Sequence, residues 1–273
     1  MASPDAESPT AAIGVIGGSG FYRLLEGARR IEVDTPYGAP SDALTVGQVG
    51  GREVAFLPRH GEDHRWPPHR INYRANLWAL RALGVRQVLA PCAVGSLRRE
   101  VPPGSVVVPD QVVDRTTGRI QTFYDQGAVH VSFADPYCPT GRTALLKAAA
   151  SGGIPARDGG TMVVVEGPRF SSRAESRWYA DAGWSLVNMT GLPEASLARE
   201  LGLCYASVAL VTDYDAGVDA DESVDQEEVF RVFAENTERL RGLLLEALTL
   251  LPDHRQCRCA SALDGLPLPF DLP

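Results

Sequence analysis

Nine consecutive residues, Leu203-Cys204-Tyr205-Ala206-Ser207-Val208-Ala209-Leu210-Val211, carry no charge, no glycine and no proline. A β-branched and apolar run of this kind reads as a strand buried within a sheet. Polar segments stand on either side of it: Asn188-Met189-Thr190-Gly191-Leu192-Pro193-Glu194 before, and Thr212-Asp213-Tyr214-Asp215 after. Strand ends are where α/β folds keep their chemistry. The two segments therefore offer polar anchors and paired carboxylates at neighbouring loop positions, a cleft able to hold a sugar and protonate a base.

The rest of the chain agrees with this class. Strand-like runs at residues 13–16, 53–58, 87–93, 105–108, 161–165 and 205–211 alternate with helical patterns at 73–83, 172–181, 193–201 and 226–251. Such alternation predicts a sheet with helices packed on it. In the last helix Val229, Val232, Phe233, Leu240, Leu243, Leu244, Ala247, Leu248 and Leu251 recur near helical spacing and make one apolar face. A chain of 273 residues with 44% hydrophobic content suits one folded domain, placed at residues 12–252. Residues 1–11, small, polar and acidic, read as a disordered leader. Residues 253–273 read as an extended tail, because its prolines fix φ and lack amide donors. An apolar extended tail must dock, either on its own domain or on a neighbouring subunit.

A net charge of −8 argues against nucleic-acid and anionic-membrane partners, which are bound through an excess of Lys and Arg. No run approaches the roughly 20 apolar residues of a membrane span, and the start lacks a basic region ahead of an apolar core, so a cytoplasmic location is expected. Five scattered cysteines are not the dense, even pattern of a secreted disulfide scaffold. Cys204 reads as core. His254, Cys257 and Cys259 do not match a standard zinc spacing and no fourth ligand is evident, so no metal is expected.

Several turns carry chemistry. Gly17-Gly18-Ser19-Gly20 follows the first strand, where backbone N–H groups and the Ser19 hydroxyl can converge on an anion. It is neither a dinucleotide fingerprint, because Arg23 stands at the last glycine position, nor a P-loop. Arg59-His60-Gly61 puts a guanidinium, whose fork suits phosphate oxygens, beside an imidazole just beyond a strand. His64 and His69 follow in a Trp- and Pro-containing loop, either as ligand contacts or as plain loop hydrogen bonders. Cys92-Ala93-Val94-Gly95-Ser96 ends another apolar run, and its amides can serve the same anion, with nothing nearby to make Cys92 a thiolate. In Glu166-Gly167-Pro168-Arg169-Phe170-Ser171-Ser172, Ser172 with Glu175 forms a helix cap, while Phe170 can cover a flat ligand. Asp213 and Asp215 can cap a helix or lie solvated; alternatively, a carboxylate accepts from an adenine N6 amine and a buried carboxyl donates to N7.

Taken in order, the glycine turn, Arg59-His60-Gly61, residues 110–116, residues 166–172, Asn188 to Glu194 and Thr212 to Asp215 resemble the methylthioadenosine phosphorylase branch of the trimeric purine nucleoside phosphorylases, over about residues 13–251. The resemblance implies a single α/β domain with a mixed, partly barrel-like sheet flanked by helices. It also implies a homotrimer, and exchange of phosphate for adenine at C1′ of 5′-methylthioadenosine with no metal or organic cofactor, inorganic phosphate being the co-substrate. Phosphate would be held by Ser19, Arg59, His60, Cys92, Ala93 and Thr190. Asn188 and Met189 would meet the ribose, Phe170 would cover the base, and Ser171, Thr212, Asp213 and Asp215 would read it. Val229 would line the 5′ pocket, closed by His130 together with C-terminal residues of a neighbouring subunit. Asp213, Asp215, Arg59 and His60 would carry the catalysis.

Two departures from the family pattern bear on function. Cys92 stands where a threonine is common, which removes a hydroxyl donor from the phosphate pocket. Asn188-Met189-Thr190-Gly191 also resembles a relative acting on methylthioinosine, although that branch lacks the paired acids. A 6-oxopurine nucleoside phosphorylase, a phosphorylase of another 5′-modified deoxyadenosine, and a nucleoside-binding protein without turnover are the rival readings.

Overall fold

The computed structural model describes residues 11–18, 25–218 and 224–273; Ser19 and most of the expected leader lie outside the described residues. The chain runs β1 (Ile13–Gly17), β2 (Glu26–Ile31), β3 (Leu44–Val49), β4 (Arg52–Pro58), α1 (Tyr73–Ala82), β5 (Gln87–Ser96), β6 (Val106–Val108), β7 (Gln111–Arg115), α2 (Pro139–Ser151), β8 (Ala156–Asp158), β9 (Thr161–Val165), α3 (Arg173–Asp181), β10 (Leu186–Asn188), α4 (Gly191–Glu200), β11 (Cys204–Tyr214) and α5 (Gln226–Leu250). Ala11, counted with the leader, is buried, and its N–H donates to the Leu83 carbonyl.

All strands belong to one mixed sheet that forks on β5. Strands β4, β1, β5 and β11 are parallel neighbours, in that order. From the far half of β5 one arm leaves antiparallel through β10 to β9 and β7, while β11 leads through β6 to β8. Nine successive residues of β11, Cys204 to Thr212, are buried, as a strand covered on both faces requires. Helices α1 and α4 pack together on one face, α2 and α5 on the other. Each fully buried Leu, Ile or Val in these layers contributes about 1.5–3 kcal/mol of transfer free energy.

The elements expected from periodicity are present, with shifted ends. The strand placed at 87–93 continues to Ser96, and that at 205–211 continues to Tyr214. Strands β2, β3, β7, β8 and β10 and helix α2 were not expected. They are short, half-exposed or interrupted by polar residues; β2 and β3 extend a local antiparallel run onto β4, whereas β7, β8 and β10 pair with strands remote in sequence. The capping box at Ser172 and Glu175 forms as predicted.

The tail docks on its own domain. Leu268, Phe270 and Leu272 pack against the α1–α4 layer, with Phe270 5.6 Å from the ring of Tyr124 and 5.8 Å from that of Trp78. The expectation of no fourth thiol partner for the tail does not hold. Cys138 and Cys204, remote in sequence, stand against Cys257 and Cys259, so Cys204 is buried among thiols rather than in the hydrocarbon core. No helix among the described residues is long and apolar enough to cross a membrane.

Candidate active site

Parallel packing brings the C-terminal ends of β1, β4, β5 and β11 to one edge of the sheet, where the topology of α/β folds opens a crevice. The pocket there is lined by Gly18, Arg59, His60, Cys92, Ala93, Phe170, Ser171, Asn188, Met189, Thr190, Thr212, Asp213, Asp215 and Val229. Every described residue assigned to the site from sequence lies in it except His130, which is exposed in the segment before α2. Gly18, the last described residue before Ser19, is also on its wall.

The acid pair owes its place to an irregularity. The register of β11 against β5 shifts between Val211 (opposite Val94) and Asp213 (opposite Gly95), leaving Thr212 as an extra residue. A bulge of this kind bends the strand and re-aims the side chains that follow. Asp213 then lies over Gly95, where an added methyl group would stand 3.0 Å from its Oδ2. Thr212 Oγ1 donates to Asp213 Oδ1 at 2.7 Å. Burial raises the Asp213 pKa to about 6; the Thr212 hydroxyl opposes the rise and the Asp215 charge adds to it. Burial also raises the Asp215 pKa, offset in part by the nearby Ser171 and Ser176 hydroxyls. Asp215 Oδ2 and the Ser171 hydroxyl are both buried without a hydrogen-bond partner, which suits them to a polar ligand edge.

Arg59 differs from the expected phosphate fork. Its side chain is almost fully buried and its Nε and Nη2 bond Glu194 at 2.7 and 2.8 Å. Nη2 also donates to the Ile16 carbonyl and Nη1 to that of Pro91, so a single N–H on Nη1 is left for a ligand. Tyr205 Oη completes the cluster on Glu194 at 2.7 Å. Burial alone would lower the arginine's pKa, but the Glu194 charge holds it above its ordinary value. The pair is thus a floor on which the pocket is built. Removing either partner would strand a buried charge, at a cost of about 3–5 kcal/mol.

His60 is neutral. Its Nδ1 lies 2.8 Å from the Trp66 carbonyl, which only accepts, so Nδ1 carries the hydrogen and Nε2 is an acceptor. Burial pushes its pKa down to about 4, with the Trp66 carbonyl opposing and Arg59 and His64 adding to the effect. In this form Nε2 can meet a protonated phosphate oxygen but cannot donate to a bare oxyanion. His64, left open between loop and ligand roles, stacks on His60 at 4.4 Å and lines the pocket.

Asn188, in the pocket wall, also organises the loop. Its Oδ1 accepts from the N–H groups of Thr190 and Gly191 at 2.8 and 2.6 Å, and its Nδ2 donates to the Ala93 carbonyl at 3.0 Å. That ties the end of β10 to β5 and sets Met189 and Thr190 in the wall. Met189 is also pressed by Gly167, where a Cβ would come within 2.7 Å of its sulfur at a φ of +66°. Cys92 donates its S–H to Ser207 Oγ at 3.5 Å, since that hydroxyl already donates to Ala90. Burial raises the Cys92 pKa, so it is a thiol.

Sequence reasoning missed Phe230 and Phe233, which join Val229 on the first turns of α5 to form the apolar end of the pocket. By spacing, Phe233 belongs with Val229 to the helix's apolar face. The signal was its spacing from Val229, one turn of helix, but nothing local separates the turn over the core from the turn over a cleft. Nothing in the motif around Glu194 reveals its role, because its partner Arg59 is 135 residues away.

Comparison with known proteins narrows what such a pocket does. The sequence profile of the phosphorylase superfamily matches residues 12–249. A Streptomyces coelicolor protein named purine nucleoside phosphorylase is 59% identical over 279 residues, covering 98% of this chain and 100% of its own length. A Mycobacterium tuberculosis protein named S-methyl-5'-thioadenosine phosphorylase is 58% identical over 262 residues, covering 96% of this chain and 97% of its own. Among solved structures, a methylthioadenosine phosphorylase from an antarctic soil metagenomic library superposes with a TM-score of 0.89 at 39% identity, covering 95% of this chain and 93% of that one. Methylthioadenosine phosphorylase from Schistosoma mansoni in complex with adenine gives 0.87 at 39%, covering 92% and 96%. A profile spanning nearly the whole fold, close relatives over almost the full length, and a pocket at the shared sheet edge lead to one conclusion: this chain belongs to the phosphorylase superfamily.

Proposed function

We propose that the protein is an S-methyl-5'-thioadenosine phosphorylase: phosphate displaces adenine from C1′ of 5'-methylthioadenosine, giving 5-methylthioribose 1-phosphate. The observation that carries this reading is the Asp213–Asp215 pair, Asp215 buried and Asp213 partly so and raised to about 6, set in a pocket that Val229, Phe230 and Phe233 also line. Loss of a purine leaves positive charge on the sugar, so an anion must face C1′ and the leaving base must gain a proton. A phosphate oxygen forms the bond to C1′ as the C1′–N9 bond breaks, and the electron pair goes to the purine. Asp213, whose pKa burial raises, shares the proton of its acid form with N7, while Asp215 and Ser171 read the base edge. The amides and side chains of Gly18, Ala93 and Thr190, the free N–H of Arg59 and neutral His60 hold the phosphate, with Ser19 expected beside Gly18. Phe170, 37% exposed at the rim, covers the base, and Met189 meets the ribose. Val229, Phe230 and Phe233 suit a methylthio group, to which a charged 5′ substituent would lose water without compensation. We further infer a homotrimer, on the family resemblance, with the exposed His130 reaching a neighbour's pocket.

The Streptomyces coelicolor relative favours a second reading, phosphorolysis of other purine nucleosides. Phosphate-dependent base release from methylthioadenosine, adenosine, inosine and methylthioinosine, compared as kcat/KM, separates the two. Highest values for methylthioadenosine are expected. Preference for inosine would replace the first reading by the second, and no release from any of the four would leave a nucleoside-binding protein.

A further inference from the structure

Away from the pocket, four cysteines from three distant parts of the chain converge. Cys138 is the N-cap residue of α2, Cys204 opens β11, and Cys257 and Cys259 flank Arg258 in the tail. Their Sγ atoms all lie within 4.8 Å of one another, with Cys204 to Cys257 at 3.2 Å and Cys138 to Cys257 at 3.6 Å. Cys138, Cys204 and Cys259 are buried, Cys257 is partly so, and all are free thiols. Four thiolates about 2.3 Å from a central ion would form a tetrahedron with edges of about 3.8 Å. The sulfurs stand near that spacing as one group of four.

Two features of the surroundings suit a bound cation carrying four thiolates, a unit of net negative charge. Cys138 sits at the N-terminal end of α2, where the helix dipole favours a thiolate. Arg86 and Arg255 stand on the segments that carry the sulfurs: the Arg86 carbonyl accepts from the Cys204 N–H at 2.9 Å, and Arg255, in the tail ahead of Cys257, donates to the carbonyl of Gly202 at 2.6 Å.

We propose that Cys138, Cys204, Cys257 and Cys259 form a closed structural site for a thiophilic divalent cation, zinc, which fastens the C-terminal tail to the starts of α2 and β11. Four protein sulfurs leave no open coordination position, so the ion takes no part in phosphorolysis. Its effect is on the tail, which beyond the cysteines places Leu263 against Gly202 and Phe270 between Tyr124 and Trp78.

The test loads full-length protein with zinc under reductant, removes loose metal by gel filtration, and counts bound zinc by mass spectrometry. One zinc per chain is expected, retained by His254→Ala and lost by the double variant C257S and C259S. Cobalt loaded in the same way should give intense thiolate-to-cobalt charge-transfer absorption with tetrahedral ligand-field bands. Failure of the reduced chain to take up zinc overturns the site, as does zinc that survives in the double variant. If that variant does not fold, the cobalt spectrum of the unaltered chain decides: absence of thiolate charge transfer overturns the proposal.

Discussion

In the proposed reaction Asp213 concentrates the chemistry because two demands meet on one carboxyl: it must be buried enough to raise its pKa and close enough to the base to give up a proton. Its pKa of about 6 against an ordinary 3.8 fixes the sign of the pH dependence. The acid form is lost as pH rises through about 6, so kcat/KM for the nucleoside at saturating phosphate should fall across that range. Asp213→Asn should lose that limb, lower kcat/KM for methylthioadenosine by about 10²–10⁴-fold, and shift preference toward 6-oxopurines, whose O6 accepts from an amide. Folding stability follows the same linkage. A raised carboxyl pKa contributes fully below pH 3.8, and the contribution is lost as pH rises to about 6, so the Asn variant should be the more stable above that pH, by about 1–2 kcal/mol. Steady-state pH profiles and denaturant melts check both; an unchanged adenine-to-hypoxanthine preference would sink the assignment of this residue to the base.

At the scale of elements, the site depends on how β11 lies on β5. The bulge at Thr212 turns Asp213 over Gly95, and the absence of a side chain there is what lets the carboxyl approach. Gly95→Ala should therefore displace the acid and lower kcat/KM by about 10- to 100-fold, with little loss of stability because the backbone there is ordinary strand. Equal activity in the variant would show that the acid is placed by something other than this contact. The ends of β4, β5 and β10 play a similar part through Arg59, Ala93 and Asn188. Asn188 spends its amide on the backbone of its own loop and of β5, and Arg59 spends most of its fork on Glu194. Both residues stood in motifs that pointed to the site, and both prove to shape its walls. Motif position told which loop mattered; the direction each side chain takes depended on partners on other strands.

At the scale of the whole molecule, the apolar end of the pocket is built by α5, and the tail closes back over α1 and α4 on its own domain. The exposed His130 belongs to the proposed assembly. Multi-angle light scattering should give the mass of three chains, and His130→Ala should raise KM for methylthioadenosine severalfold while leaving kcat nearly unchanged, since it would touch only the 5′ end of the substrate. A monomer that turns over methylthioadenosine at full rate would remove His130 from the site.

By itself the sequence determined the fold class and the loops that matter. An uncharged apolar run such as 203–211, set among alternating strand and helix patterns, favours a strand inside a sheet, and the periodic spacing along 226–251 buries one helical face. These are local properties, carried by neighbours in the chain. What only the tertiary structure decided are the pairings between remote residues: Arg59 with Glu194, Asp213 with Gly95, Phe233 with the cleft, and the tail cysteines with Cys138 and Cys204. Each depends on burial and on the relative position of strands far apart in sequence, and the free energy that turns a loop residue into a ligand, a wall or a staple arises only when those strands meet.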